Sequence, residues 1–165
     1  GDRAAPPRRV DLGGLTGERS DPEGPFARRG PVIARTVLAV LMIAVGVAHF
    51  ATPAGFVRIV PSWLPSPLLL VYVSGAAEIL GGAGLLVPRA RRAAALGLVA
   101  LYVAVFPANV NMAIHHIQPE GVVLPEWAFW ARLPLQAALI GWAAWIARRA
   151  KVDGEGHARR GRAAA

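Results

Sequence analysis

The sequence predicts an all-α fold, a four-helix transmembrane bundle with disordered polar termini. Three observations carry that prediction. Four apolar runs divide the chain, each about 20 residues long, enough for a ~30 Å hydrocarbon core at 1.5 Å of rise per residue. Charged residues make up 17% of the chain against 55% hydrophobic, few for a soluble domain. The charges also collect in tails and short connections, whereas a soluble helical fold spreads them over its outward faces.

The elements follow in order. Residues 1–30 are rich in Gly, Pro, Arg and Asp. They have too little apolar surface to offset their ordering entropy and read as a disordered cytoplasmic tail. No apolar core of a secretory signal appears among them. A membrane domain covers 31–148. Its first helix, 32–50, is VIARTVLAVLMIAVGVAHF, and a connection ATPAGFVRIVPSWLPSP follows. There Thr52 can cap a short turn with Pro53 at its first position, leaving Phe56, Ile59, Val60 and Trp63 toward lipid or the mouth of the bundle. An irregular connector is the equal alternative. The second helix spans 67–87, the third 93–114 and the fourth 127–147. Lipid offers no partner to an unpaired backbone group, so each span must be helical. Residues 149–165 form a second, basic cytoplasmic tail, with His157 in solvent.

Basic residues set the orientation. Six Arg lie in residues 1–30, Arg89, Arg91 and Arg92 in the second connection, and six more basic residues from Arg148 onward. The first connection has only Arg58 and the third has none. The positive-inside rule then places both termini and the second connection in the cytoplasm, in the bacterial cytoplasmic (inner) membrane. Trp63, Trp127, Trp130, Trp142 and Trp145 fall near the expected interfaces. The net charge of +8 fits anionic headgroups of the lipid bilayer. No basic recognition helix or RNA-binding motif accompanies it, which argues against nucleic acid. The chain has no cysteine, so it supplies no disulfide, thiolate metal site or dithiol redox centre.

Polar residues inside the spans are the candidates for function, because they are costly there and turn inward. They are Glu78 and Ser74 in the second helix, His49 ending the first, Asn109, Asn111 and His115 in the third, and Arg132 and Gln136 in the fourth. Counting from the outer face puts Glu78 roughly 16 Å deep, Arg132 about 7 Å and Gln136 about 13 Å, with His49 and His115 at the rim. Asn111 shares a face with His115, as Arg132 does with Gln136 and Ser74 with Glu78. Pro107 and Pro134 kink their helices beside this cluster. The pattern predicts a polar pocket open to the outside with Glu78 at its floor, and Arg132 is the natural ion-pair partner of Glu78. Ser74, Ala77, Gly81 and Gly84 form a small-residue stripe for close helix packing. His49 with His115 or His116 invites haem, but rim positions and the absence of metal-ligand spacing disfavour haem and metal alike.

The pieces GVAHFATPAGFVRIVPSWLP, SGAAEILGGAGLLVPRARRAAALGL, VFPANVNMA and RLPLQ together resemble the DoxX-like family of small bacterial membrane proteins. The matching positions include His49, Phe50, Pro53, Glu78, Pro107, Asn109, Arg132, Pro134 and Gln136. The resemblance implies a four-helix membrane bundle. It also implies a link to quinone-dependent oxidoreductases, since some proteins grouped there are membrane subunits of such enzymes. It transfers no catalytic residue.

Two functions follow as expectations. The first is a membrane subunit of a quinone-linked or stress-related redox complex, with quinone as the candidate cofactor in the pocket and an oxidoreductase as partner. There a carboxylate and an Asn or His can hydrogen-bond a quinone carbonyl and pass a proton. The second is a non-catalytic scaffold or small-amphiphile-binding protein, in which the polar cluster fixes helix register. A transporter would need a homo-oligomer, because four helices are few and no inverted repeat is visible. Whether the chain is an enzyme is left open by its residues.

Overall fold

The computed structural model describes residues 25–118 and 123–163, with side chains from 29 to 118 and from 123 to 151. Every regular element among them is a helix: α1 (Pro25–Ala51), α2 (Pro53–Val57), α3 (Pro67–Leu86), α4 (Arg91–His115) and α5 (Glu126–Ala163). Helices α1, α3 and α4 are long and apolar enough to cross a membrane. The fourth expected span, 127–147, is not among them, because Arg132, Gln136 and four tryptophans lower the apolarity of that stretch of α5.

The helices overrun the expected boundaries at both ends. The first was expected at 32 and starts at Pro25, so the last residues assigned to a disordered tail are helical; residues 1–24 lie outside the described residues. The last continues through the basic tail to Ala163. Extending an existing helix adds one hydrogen bond per residue fixed, and the Ala, Arg and Lys of that segment are good helix formers. His157 lies beyond the described side chains.

Packing runs in chain order: α1 lies on α3, α3 on α4, and α4 on α5, with α2 against α3. Each long helix is antiparallel to the next. A Cβ on Gly46 would meet the Gly75 carbonyl and one on Gly82 the Ala39 carbonyl, while Gly81 abuts Leu98 and Gly84 abuts Ala94. Helix α3 therefore has two small faces. Gly81 and Gly84, expected from sequence, admit α4; Gly75 and Gly82 admit α1. The main core draws on all four long helices, with Leu38, Met42, Leu85, Leu98, Tyr102, Ala143 and Ile146 buried. A second cluster of Met112, Ala113 and Phe129 closes the end of α4 and α5 near α2, with Ile59 packed on it.

Large apolar side chains cover the outward faces. Leu80, at the middle of α3, is 73% exposed, and Val40, Leu69, Val103 and Leu135 point outward in the same way. At the Arg-rich end, Arg91 Nε donates to the Leu85 carbonyl at the end of α3, and Arg149 lies over the Trp145 ring.

Candidate functional site

The site grows from the α1–α3 crossing. Gly46 and Gly75 face each other across it, with the Gly46 Cβ position 2.6 Å from the Gly75 carbonyl. Each glycine makes room for a functional side chain on the opposite helix: a Cβ at Gly75 would stand 2.6 Å from His49 Cβ, and one at Gly46 would stand 3.1 Å from Glu78 Cβ. His49 and Glu78 sit three residues beyond these glycines in opposite directions along the crossing. Helical side chains lean toward their own N-terminus. In antiparallel helices that tilt brings the two together, and His49 Nδ1 lies 3.3 Å from Glu78 Oε2. His49 was expected at the rim and Glu78 far below it; the register of the crossing, with Gly46 against Glu78 and Gly75 against His49, brings them within about a turn of each other, and the opposed tilts close the rest.

Both residues are buried, His49 at 8% and Glu78 at 7% exposure. The His49 Nδ1–H donates to the Val45 carbonyl at 2.9 Å. The proton is thereby turned from Glu78, whose Oε2 is sealed without a hydrogen-bond partner. Over the imidazole lies Phe56 of α2, stacked at 3.8 Å between centroids. Thr52, expected to cap α2, makes no side-chain cap; its hydroxyl donates back to the Ala48 carbonyl. Pro53 opens α2 as expected.

The expected Glu78–Arg132 ion pair is absent among the described residues. The cause is topological: α3 packs on α1 and α4, and α5 on α4, so α4 separates the two side chains. Arg132 is half-buried on α5. Its neighbour one turn on, Gln136, is 4% exposed and fully engaged. Asn109 Nδ2 donates to Gln136 Oε1 at 2.6 Å, and Gln136 Nε2 donates to the Tyr102 carbonyl. Pro107, inside α4, has no N–H to offer the carbonyl one turn earlier.

The other candidates fall elsewhere. Ser74 donates its hydroxyl to the Val71 carbonyl of its own helix and does not reach Glu78. Asn111 Nδ2 ties the α2–α3 connection to α4 through the Ile59 carbonyl at 3.0 Å. His115 Nδ1–H donates to the Asn111 carbonyl at 3.0 Å. These last two line an open groove of about 370 Å³ between α4 and the α2–α3 connection, walled by Pro61, Trp63, Phe106, Pro107, Val110 and Ile114. The single polar pocket expected from sequence is thus three places: the His49–Glu78 pair, the Asn109–Gln136 bridge and the groove. The histidines are dispersed as well, with His116 edge-on to Phe129.

Sequence reasoning missed Phe56 as the cover of His49, the Tyr102 carbonyl as a partner of Gln136, and the groove. Tyr102 also directs its hydroxyl at Met42 Sδ across α1 and α4, which no spacing announces.

Comparison with known proteins corrects the resemblance drawn from the sequence. The pieces that suggested the DoxX-like family are short, and the family model that matches is a different one. No curated protein and no solved structure matches this chain. The matching model is Domain of unknown function (DUF8561), over residues 38–147. It takes in the second half of α1, then α2, α3 and α4, together with α5 as far as Ala147, and so contains all three polar places. The chain belongs to the DUF8561 family.

Proposed function

We propose that this chain is a four-helix inner-membrane protein that holds a hydroxyl-bearing membrane amphiphile in the groove beside α4. The groove carries the reading. Its walls are apolar, and each of its two polar residues keeps a free acceptor. His115 spends its Nδ1–H on Asn111, which leaves Nε2 bare in the neutral ring. Asn111 spends one amide hydrogen on Ile59, which leaves Oδ1 and the second N–H. A head that donates a hydroxyl and a body that is apolar suit such walls. A quinol and a hydroxyl-headed lipid share that chemistry. A quinol would make the chain a membrane subunit of a redox complex with an oxidoreductase partner; a lipid would make it a non-catalytic binding protein.

The fourth span is part of this reading. Gln136 is what most lowers the apolarity of α5 beside Arg132, yet its amide is satisfied internally by Asn109 and Tyr102, so its polarity is hidden from lipid. Arg132 has a stem long enough to reach the interface. With four crossings, the charge asymmetry puts both termini in the cytoplasm and the groove outside.

The test is mass spectrometry of small molecules carried by protein purified in mild detergent, wild type beside Val110→Trp, which fills the groove. An amphiphile bound in wild type and reduced roughly tenfold or more in the variant supports the proposal, and its mass separates quinol from lipid. The same complement of bulk lipid in both proteins refutes it.

A further inference from the structure

Two buried side-chain atoms lack a hydrogen-bond partner among the described residues, Arg35 Nε and Glu78 Oε2. Arg35 lies near the Arg-rich end of α1 on a stem that can snorkel. Glu78 has no such escape. It is 7% exposed at the middle of α3, between α1 and α4. A buried polar group without a bond is costly and calls for an explanation beyond packing.

His49 supplies the explanation, because it is two-sided. Its Nδ1 lies 3.3 Å from the orphan oxygen. The Val45 carbonyl can only accept, so Nδ1 carries the hydrogen and Nε2 of the neutral ring is bare. Above the ring stands Phe56, on a five-residue helix with no buried residue and no side-chain cap. Such a segment opens at low cost.

We propose that Glu78 and His49 form a proton-exchange site, in which the imidazole carries protons between the buried carboxylate and water at the α2 end. A water-borne proton binds Nε2 and gives imidazolium. The imidazolium then swings its Nδ1–H off the Val45 carbonyl toward Oε2, 3.3 Å away, and releases the proton there; the N–H bond breaks and an O–H bond forms. The carboxylate becomes a neutral acid, and the ring is neutral with its hydrogen on Nε2. Nδ1 and the Val45 oxygen now face each other as lone pairs, which favours the return step. The exchange is reversible, and the Nδ1–H form is its resting state.

The surroundings leave this pair uncontested. From α4, Tyr102 lies within electrostatic reach of Glu78, with its hydroxyl directed at Met42. The buried polar residue of α5 is Gln136, which is neutral. Helix α2 contributes no titratable side chain. The site does not depend on what occupies the groove.

Infrared difference spectroscopy tests the proposal on the full chain in lipid nanodiscs after a pH jump. The carboxylic-acid carbonyl band of Glu78 is identified by its loss in Glu78→Gln. In His49→Phe, which keeps a ring beneath Phe56, the band should persist and equilibrate about 10²-fold more slowly; Phe56→Ala should equilibrate faster than wild type. If loss of helicity shows that His49→Phe misfolds, His49→Gln is read by the same criterion. Equal rates in wild type and the His49 variant overturn the proposal, as does a spectrum with no pH-responsive band that depends on Glu78.

Discussion

The α1–α3 and α4–α5 contacts each bury a polar side chain. Between α4 and α5, Gln136 takes a hydrogen bond from Asn109 and gives one to the Tyr102 carbonyl. Between α1 and α3, Glu78 is equally buried and its Oε2 has no bond. The backbones differ too. Helices α1 and α3 approach through opposed glycines, whereas α4 and α5 meet through Phe129, Met112, Ala143 and Ile146. A satisfied amide in an apolar setting fixes register and contributes to stability. An acid with an oxygen left unbonded contributes less to stability, and the proton-exchange proposal builds on that difference.

Substitutions can break or sharpen that contrast. The largest effect is expected at the glycine crossing. Gly75→Val places new carbons against His49 Cβ and the Gly46 carbonyl, which cannot yield as a side-chain tip would; a loss of about 3 kcal/mol is expected. Denaturant titration in mixed micelles reads it, and an unchanged midpoint would mean that α1 and α3 do not cross there. Next comes Gln136→Leu, which strands Asn109 and the Tyr102 carbonyl and should cost about 2 kcal/mol. A neutral result would show that the bridge is dispensable to the α4–α5 contact. Smallest is Glu78→Gln, which breaks no hydrogen bond. It should shift stability by no more than about 0.6 kcal/mol, and a loss as large as that of Gln136→Leu would erase the contrast between the two pairs.

Much of the architecture could be read from the chain. Apolar run length located the four long helices, and Pro67 marks the start of α3. Boundaries failed where helix propagation rather than burial decides, as in the extension of α5 through Gly154 and Gly156. The candidate residues were visible because ionisable and amide groups are rare in apolar runs, but their partners were not. Depth along one helix suggested Arg132 for Glu78, while helix order and the opposed tilt of antiparallel side chains select His49. The stripe Gly81 and Gly84 was legible as a packing face; that Gly75 and Gly82 form a second one depends on α3 lying between two neighbours.

All of the placement above hinges on whether α5 completes a fourth crossing. Three crossings would put the C-terminus on the side opposite the N-terminus, and four return it to the cytoplasm. A reporter active only outside the cytoplasm, fused behind Ala165 of the full chain, separates the two directly. The account predicts no activity from that fusion and clear activity from the same reporter inserted after Ser62, in the α2–α3 connection. Activity behind Ala165 would contradict it, leaving α1, α3 and α4 as the spans and α5 on the outer surface.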